Sequence, residues 1–142
     1  MKKMNNKGFS LVELIIVIAI MAVLMGVLAP QLLRHVETSR LQSDLTAMSE
    51  VDSATTIAIS SSEKIYKTLT AGTTVTIKNG AKLTSTNKDL EAELLKTIPN
   101  DMKLTSKSCK DTEFTLTIKY DSSAKSYYTE QDATWKKLIE ER

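Results

Sequence analysis

The chain has 142 residues, 25% of them charged, and a formal net charge of +2. That length suits one modest domain with an appendage, and charges of both signs beside 42% hydrophobic residues argue against a disordered chain. Lys2, Lys3 and Lys7 lie in the first eight positions without any acid, so the rest is close to neutral and offers no overall attraction for nucleic acid. Cys109 is the only cysteine, which excludes an intrachain disulfide, and we expect an inert thiol.

The first predicted element is an apolar helix over residues 9–29, in which Glu13 is the only ionisable side chain. A helix of that length rises roughly 31 Å, about the thickness of the hydrocarbon layer of a membrane. The lysines before it predict a cytoplasmic N-terminus, because membrane proteins carry an excess of basic residues on that side. A carboxylate near lipid is costly, so Glu13 requires a partner.

Two ordinary explanations of this segment are incomplete. A secretory signal peptide has a similar basic start, and Val27-Leu28-Ala29 imitates its cleavage site, but Pro30 directly afterwards would hinder that cut. A single-span anchor explains the length and the lysines, but it does not explain Glu13.

Residues 7–13, K-G-F-S-L-V-E, resemble the class III processing site of type IV prepilins and of the related pseudopilins. The resemblance extends to Pro30 and covers about the first quarter of the chain. It implies that a prepilin peptidase removes a leader, residues 1–8, by cutting between Gly8 and Phe9 on the cytoplasmic side. It also implies N-methylation of Phe9, with Lys2, Lys3 and Lys7 as the charges of the leader.

Cutting after Gly8 would give Glu13 a specific role in assembly. The new amino group on Phe9 would lie one helical turn from Glu13 in the same chain. In a stack of helices, the amine of an incoming subunit could instead pair with Glu13 of its neighbour and set the register between subunits. The alternative is that Glu13 merely extends to the lipid headgroups.

Gly26 and Pro30 mark a weak turn between the apolar and the amphipathic parts of the helix. Pro30 has no N–H, so the carbonyl of Gly26 loses its helical donor, and glycine is itself a poor helix former. The resemblance implies that this region loses helicity when subunits assemble, although Ala22 stands where many relatives have glycine. A simple proline kink is the alternative.

Residues 30–60 continue as an amphipathic helix. Apolar side chains recur at steps of three and four, and acidic or basic residues such as Asp44 stand mostly beside them. The apolar series is Leu41, Leu45, Met48, Val51, Ala54 and Ala58. A helix from Phe9 to about Ser60 would be about 78 Å long and far longer than a small domain covers, so its first half would protrude. We expect Ser60-Ser61-Ser62 to end it.

Residues 61–142 are predicted to form an outer α+β head domain. Residues 74–77 alternate as a strand before Asn79-Gly80 and residues 81–83, a hairpin signal. Residues 88–97 predict a short helix that stops near Pro99. Two further strands are predicted, one from the alternation between Phe114 and Tyr120 and one over residues 126–128, with a turn at 121–124 between them. Residues 130–141 predict a terminal helix that packs through Trp135, Leu138 and Ile139. The expected fold is a long helix against a small antiparallel sheet, which is pilin-like.

No catalytic, metal or cofactor motif appears in the sequence. His35 is the only histidine and cannot form a metal cluster alone, and Asp121 among serines predicts a turn before a calcium loop. Lys103, Lys107 and Lys110 alternate with acids, so a solvated loop is preferred to a DNA site. We therefore expect no enzyme, no cofactor and no bound metal.

The resemblance implies a structural subunit, stored in the cytoplasmic membrane and assembled into a helical surface pilus. Its implied partners are copies of itself and other pilins, the prepilin peptidase and methyltransferase, and the assembly platform with its ATPase. Such pili serve adhesion, twitching motility, biofilm formation or DNA uptake. Two alternatives stay open: a pseudopilin of a type II secretion or competence system, and a single-pass membrane-anchored binding module.

Overall fold

The computed structural model describes residues 9–140, which contain five helices and four strands. The helices are α1 (Leu11–Ser61), α2 (Glu63–Thr68), α3 (Lys88–Thr97), α4 (Lys107–Lys110) and α5 (Ala133–Glu140). The strands are β1 (Thr74–Lys78), β2 (Thr84–Ser85), β3 (Glu113–Asp121) and β4 (Ser126–Gln131). A long N-terminal helix with a small antiparallel sheet confirms the predicted α+β, pilin-like layout. The chain divides into two compact units, Met1–Val36 and Glu37–Arg142.

In the first unit, the part of α1 that ends at Val36 has no buried side chain. Every side chain from Phe9 to Val36 is exposed, and the most apolar 18-residue window of the helix has a mean hydropathy of 3.0. By length and composition, α1 is able to cross a membrane. The helix runs without a break through Gly26 and Pro30.

The second unit is built around a sheet with the strand order β2-β1-β3-β4, in which all neighbours are antiparallel. Ile77 lies opposite Phe114 across β1 and β3, and Ile118 lies opposite Thr129 across β3 and β4. Alternate residues of β1 and β3 point to one buried face, as the period of a strand requires. This face shares one hydrophobic core with residues from α1, α3 and α5, namely Leu45, Met48, Val51, Leu90, Leu94, Trp135 and Leu138.

The predicted long helix, the helix over residues 88–97 and the strand through Phe114 are confirmed, with α1 ending at Ser61 and α3 at the predicted bounds. Asn87 explains the start of α3, because its side chain accepts a hydrogen bond from Leu90 N–H. Ser62 is the N-cap of α2, a six-residue helix that the sequence patterns did not predict.

The terminal helix starts three residues later than predicted, because Glu130 belongs to β4. Asp132 separates the two elements: one carboxylate oxygen accepts from Thr115 N–H at 2.5 Å, and the other accepts from Trp135 N–H at 2.7 Å. One side chain therefore closes the strand ladder and caps α5. Trp135 and Leu138 are buried and Ile139 packs partly against the core.

The predicted hairpin exists, but its return strand is β2 and not residues 81–83. Within the intervening loop Ala81 N–H donates to the Lys78 carbonyl at 3.2 Å, and the loop is also held from elsewhere in the fold, since Gly80 N–H donates to the Met102 carbonyl at 2.9 Å. Gly80 has a φ of +66°, which glycine adopts without a steric penalty.

Candidate functional site

The start of α1 is formed by a pair of reciprocal hydrogen bonds between Ser10 and the first turn. Val12 N–H donates to Ser10 Oγ at 3.4 Å, and Ser10 N–H donates to the Glu13 carboxylate at 2.8 Å. The first helical bond runs from Leu14 N–H to the Ser10 carbonyl at 3.2 Å. This S-x-x-E arrangement is a capping box, in which a serine and a glutamate each satisfy a backbone donor that the helix leaves unpaired.

The capping box gives Glu13 a partner within its own chain. Its negative charge also lies at the helix N-terminus, where the partial positive charge of the helix dipole favours a carboxylate. From the sequence, Glu13 was expected to pair with a Phe9 amine of its own chain or of a neighbouring subunit, or to extend to the lipid headgroups, and a bond to Ser10 N–H was not predicted. The signal for its local role was nevertheless present, because Ser10-Leu11-Val12-Glu13 has the spacing of a capping box.

Phe9 precedes the capping box, lies outside the helix and is 92% exposed. The other predicted processing residues, Gly8 and the leader lysines Lys2, Lys3 and Lys7, lie outside the described residues. The cut between Gly8 and Phe9 therefore stays a prediction. So does any loss of helicity at Gly26 and Pro30, because α1 is continuous there in the single chain.

A family model described as the prokaryotic N-terminal methylation motif matches residues 3–29 of the chain. These residues carry the class III processing signal of type IV prepilins. The matched range contains the capping box and most of the exposed apolar helix. Because it covers about the first fifth of the chain, the match characterises the N-terminal segment and leaves the head domain uncharacterised.

The prepilin signal supports membership of the type IV pilin and pseudopilin family. It implies a structural subunit that a prepilin peptidase processes and that assembles into filaments. The long apolar helix behind the signal is consistent with a membrane-anchored pilin. Comparison with characterised proteins found no match to the chain, and comparison with solved structures also found none.

The head is anchored to α1 at a polar contact that sequence reasoning missed. Asp44 was predicted beside the apolar stripe of the helix, but it is buried, with 2% of its surface exposed. Its carboxylate accepts hydrogen bonds from Thr105 N–H at 2.9 and 3.0 Å and from Ser106 N–H at 2.7 Å. Lys107 N–H donates to Glu37, two turns earlier on α1. Three consecutive backbone donors are therefore held by two carboxylates.

These three donors belong to one segment, residues 102–110, which we call the strap. Its other side is attached to the loop after β1: Leu104 N–H donates to the Asn79 side-chain oxygen at 2.8 Å, and the Asn79 amide donates to the Lys110 carbonyl at 3.1 Å. The strap thus connects α1 to the sheet through side-chain hydrogen bonds. No sequence pattern indicates such a connection, because its partners are 25 to 70 residues apart in the chain.

The lysines that were predicted to lie in a solvated loop are exposed, but Lys107 and Lys110 belong to the short helix α4. Cys109 lies between them and is fully buried. Burial raises the pKa of the Cys109 thiol, because the charged thiolate loses its water. This environment favours an unreactive thiol.

Within residues 9–140 no group of three or more histidine, cysteine, aspartate or glutamate side chains is placed to hold a metal ion. The Asp121 carboxylate accepts from Ser123 N–H at 2.8 Å and from Ala124 N–H at 3.2 Å, which closes the predicted turn between β3 and β4. His35 is exposed.

Proposed function

We propose that the chain is a structural subunit of a type IV pilus. Prepilin peptidase cuts between Gly8 and Phe9, the new terminus is N-methylated, and the subunit is stored in the cytoplasmic membrane with its N-terminus on the cytoplasmic side. Residues 9–29 then form the filament core, residues 30–60 the amphipathic half of the helix, and residues 61–142 the head. The assembly platform and its ATPase move the subunit into a surface filament that serves adhesion, motility, biofilm formation or DNA uptake.

One observation carries this proposal: the matched methylation motif extends over an apolar helix whose side chains from Phe9 to Val36 are all exposed. A row of exposed aliphatic side chains of this length is stable only in lipid or against other protein. Storage in a membrane followed by assembly through the same helix supplies both environments in turn.

The capping box supports a role for Glu13 both before and during assembly. In the single chain, Ser10 N–H satisfies one carboxylate oxygen at 2.8 Å, which lowers the cost of a charge near lipid. An ionised carboxylate offers about four acceptor sites, so this bond leaves capacity for another donor. The Phe9 amine of an incoming subunit is such a donor, and its charge complements Glu13.

Two substitutions separate the capping role of Glu13 from its charge. Glutamine fills the same position of a capping box, so Glu13→Gln keeps the helix start and removes only the charge, whereas Glu13→Ala removes both. We expect both variants to be cut by the peptidase, because neither changes the Gly8–Phe9 junction. We also expect both to be lost from sheared surface filaments, since an unpaired amine would remain in a dry filament core.

The assay measures cleavage by intact mass and incorporation by the amount of subunit in the sheared fraction. Ser10→Thr is the matched control, because threonine also caps helices and leaves the charge in place. Wild-type filament yield from Glu13→Gln would show that charge pairing is not required. A loss of cleavage in both variants would instead place the requirement for Glu13 at the peptidase.

A further inference from the structure

The stretch of α1 between Gly26 and Val36 is its weakest part. Pro30 lies inside the helix and cannot donate, so the Gly26 carbonyl lacks its helical partner. None of the side chains from Gly26 to Val36 is buried, so burial of apolar side chains does not stabilise this stretch. Helices without packing are marginal in water and open locally at low cost.

From Glu37 onward, α1 is attached to the head. Glu37 accepts the N–H of Lys107, and Asp44, two turns further on, accepts those of Thr105 and Ser106. Residues seven apart lie on the same face of a helix, so both carboxylates can hold one short segment only while the intervening turns stay helical. Unwinding at Glu37 would move its carboxylate away from the strap.

The strap cannot follow such a movement, because it is fixed on its other side. Asn79 holds both Leu104 and Lys110, and Gly80 N–H holds the Met102 carbonyl. Three residues of the strap, Leu104, Ser106 and Cys109, are themselves buried. Losing the contact with Glu37 therefore breaks a hydrogen bond to a charged group without a compensating shift of the strap.

We infer that the strap is a conformational stop: it holds α1 helical from Glu37 onward, so that unwinding in the weak stretch does not spread into the head. The carboxylates of Glu37 and Asp44 are its two contact points on the helix. The value of the stop during extraction of the subunit from the membrane rests on the proposed function. Its existence does not, and it is measurable on the uncut, unassembled chain.

The test is hydrogen exchange at single-amide resolution on the full chain in lipid nanodiscs, with thiol labelling of Cys109 as a second readout. Glu37→Ala removes the first contact point. Alanine is a better helix former than glutamate, so a purely local effect predicts slower exchange at residues 38–41. Loss of the stop predicts faster exchange there, by about tenfold.

Two controls accompany this variant. Glu37→Gln keeps a neutral acceptor for Lys107 N–H and is expected to raise exchange by less than Glu37→Ala. Arg40→Ala removes the neighbouring charge, 3.9 Å from Glu37, and leaves the strap contact in place, so exchange at residues 38–41 should stay within about twofold of wild type.

The expected result is a joint change: residues 38–41 exchange faster, Cys109 is labelled faster, and the amides of β3 keep their protection. Unchanged or slower exchange at residues 38–41 would overturn the inference, as would faster labelling of Cys109 alone. An equal rise in β3 would mean global destabilisation and would also overturn it. A chain that passes this test but is never cut or assembled would refute the proposed function and leave the stop intact.

Discussion

Replacing Asp44 by alanine should destabilise the head more than any single surface substitution. Its carboxylate is 2% exposed and accepts the backbone N–H groups of Thr105 and Ser106, the second of which belongs to a fully buried residue. Asp44→Ala leaves these donors without a partner. Because Thr105 is exposed, its N–H can then donate to water in part of the molecules, whereas the N–H of the buried Ser106 cannot.

The size of the loss follows from these two bonds. A hydrogen bond to a charged group contributes about 1.5–3 kcal/mol, and partial access of water to Thr105 reduces its share, so we expect a loss of about 3–4 kcal/mol. Asparagine retains one acceptor oxygen in the place that now receives both donors, at 3.0 and 2.7 Å, but its NH2 group would face Thr105 N–H, now 2.9 Å from the other oxygen, so Asp44→Asn should lose less than alanine, about 2 kcal/mol.

The assay is urea unfolding of the full chain in detergent, followed by the fluorescence of Trp135. This residue is the only tryptophan and is fully buried in the head. With an m-value of about 1.5–2 kcal/mol per molar urea, Asp44→Ala should lower the midpoint by about 2 M. Asp89→Ala, which breaks an exposed ion pair with Lys64, is the matched control and should change stability by less than about 1 kcal/mol.

A loss below about 1 kcal/mol for Asp44→Ala would refute this reasoning. So would equal losses for the alanine and asparagine variants, because the argument depends on an acceptor and not on the volume of the side chain.

Three further predictions use the same preparation. Hydrogen bonds from Ser85 N–H and then from Lys88 hold the pKa of Glu91 below its ordinary 4.5, so the stabilisation that ionised Glu91 gives the fold is present above about pH 4.5 and is lost as the pH falls through the lowered pKa. Glu91→Gln should therefore show a smaller drop in urea midpoint than wild type between about pH 7 and pH 3.5. An unchanged drop would contradict this. Cys109 should resist iodoacetamide in the native chain at about pH 8 and react fully in urea, because burial raises the pKa of its thiol and blocks access of the reagent. Rapid labelling of the native chain would exclude the buried position. Gly80→Ala should reduce stability by about 1 kcal/mol, because Gly80 has a φ of +66°, and Gly80→Asn should reduce it by less, because asparagine tolerates the left-handed backbone. Similar losses of stability in the two variants would show that φ is not the cause.

The elements that the sequence predicts well are those whose signals are local. Leu90 and Leu94 lie one helical turn apart behind an Asn87 cap, which is sufficient to define α3. The alternation of Phe114, Leu116 and Ile118 likewise defines the buried face of β3, although Tyr120 is 44% exposed at its end.

The parts that the sequence does not predict depend on partners far along the chain. Asp44 has the local pattern of a solvated helix residue, and only the strap explains its burial. The same applies to β2, because the loop before it is held by the strap as well as by the local bond from Ala81 N–H to the Lys78 carbonyl. Polar contacts between distant segments carry no periodicity, so hydrophobic patterning cannot reveal them.

At the N-terminus the situation is reversed, because the sequence is more informative than the fold. The processing signal lies partly in residues that the structure does not describe. What the structure adds there is the bond from Ser10 N–H to Glu13, which provides the carboxylate with a partner within its own chain.

The most direct test of the account is N-terminal mass spectrometry of the protein from two fractions of surface-grown cells, sheared surface material and washed membranes. The account predicts a terminus at methylated Phe9 in both fractions. The same terminus confined to membranes would contradict an extended pilus and favour a pseudopilin. An intact Met1 terminus, as in an anchored binding module, or a terminus at Pro30, as after signal-peptide cleavage, would contradict the processing on which the whole account depends.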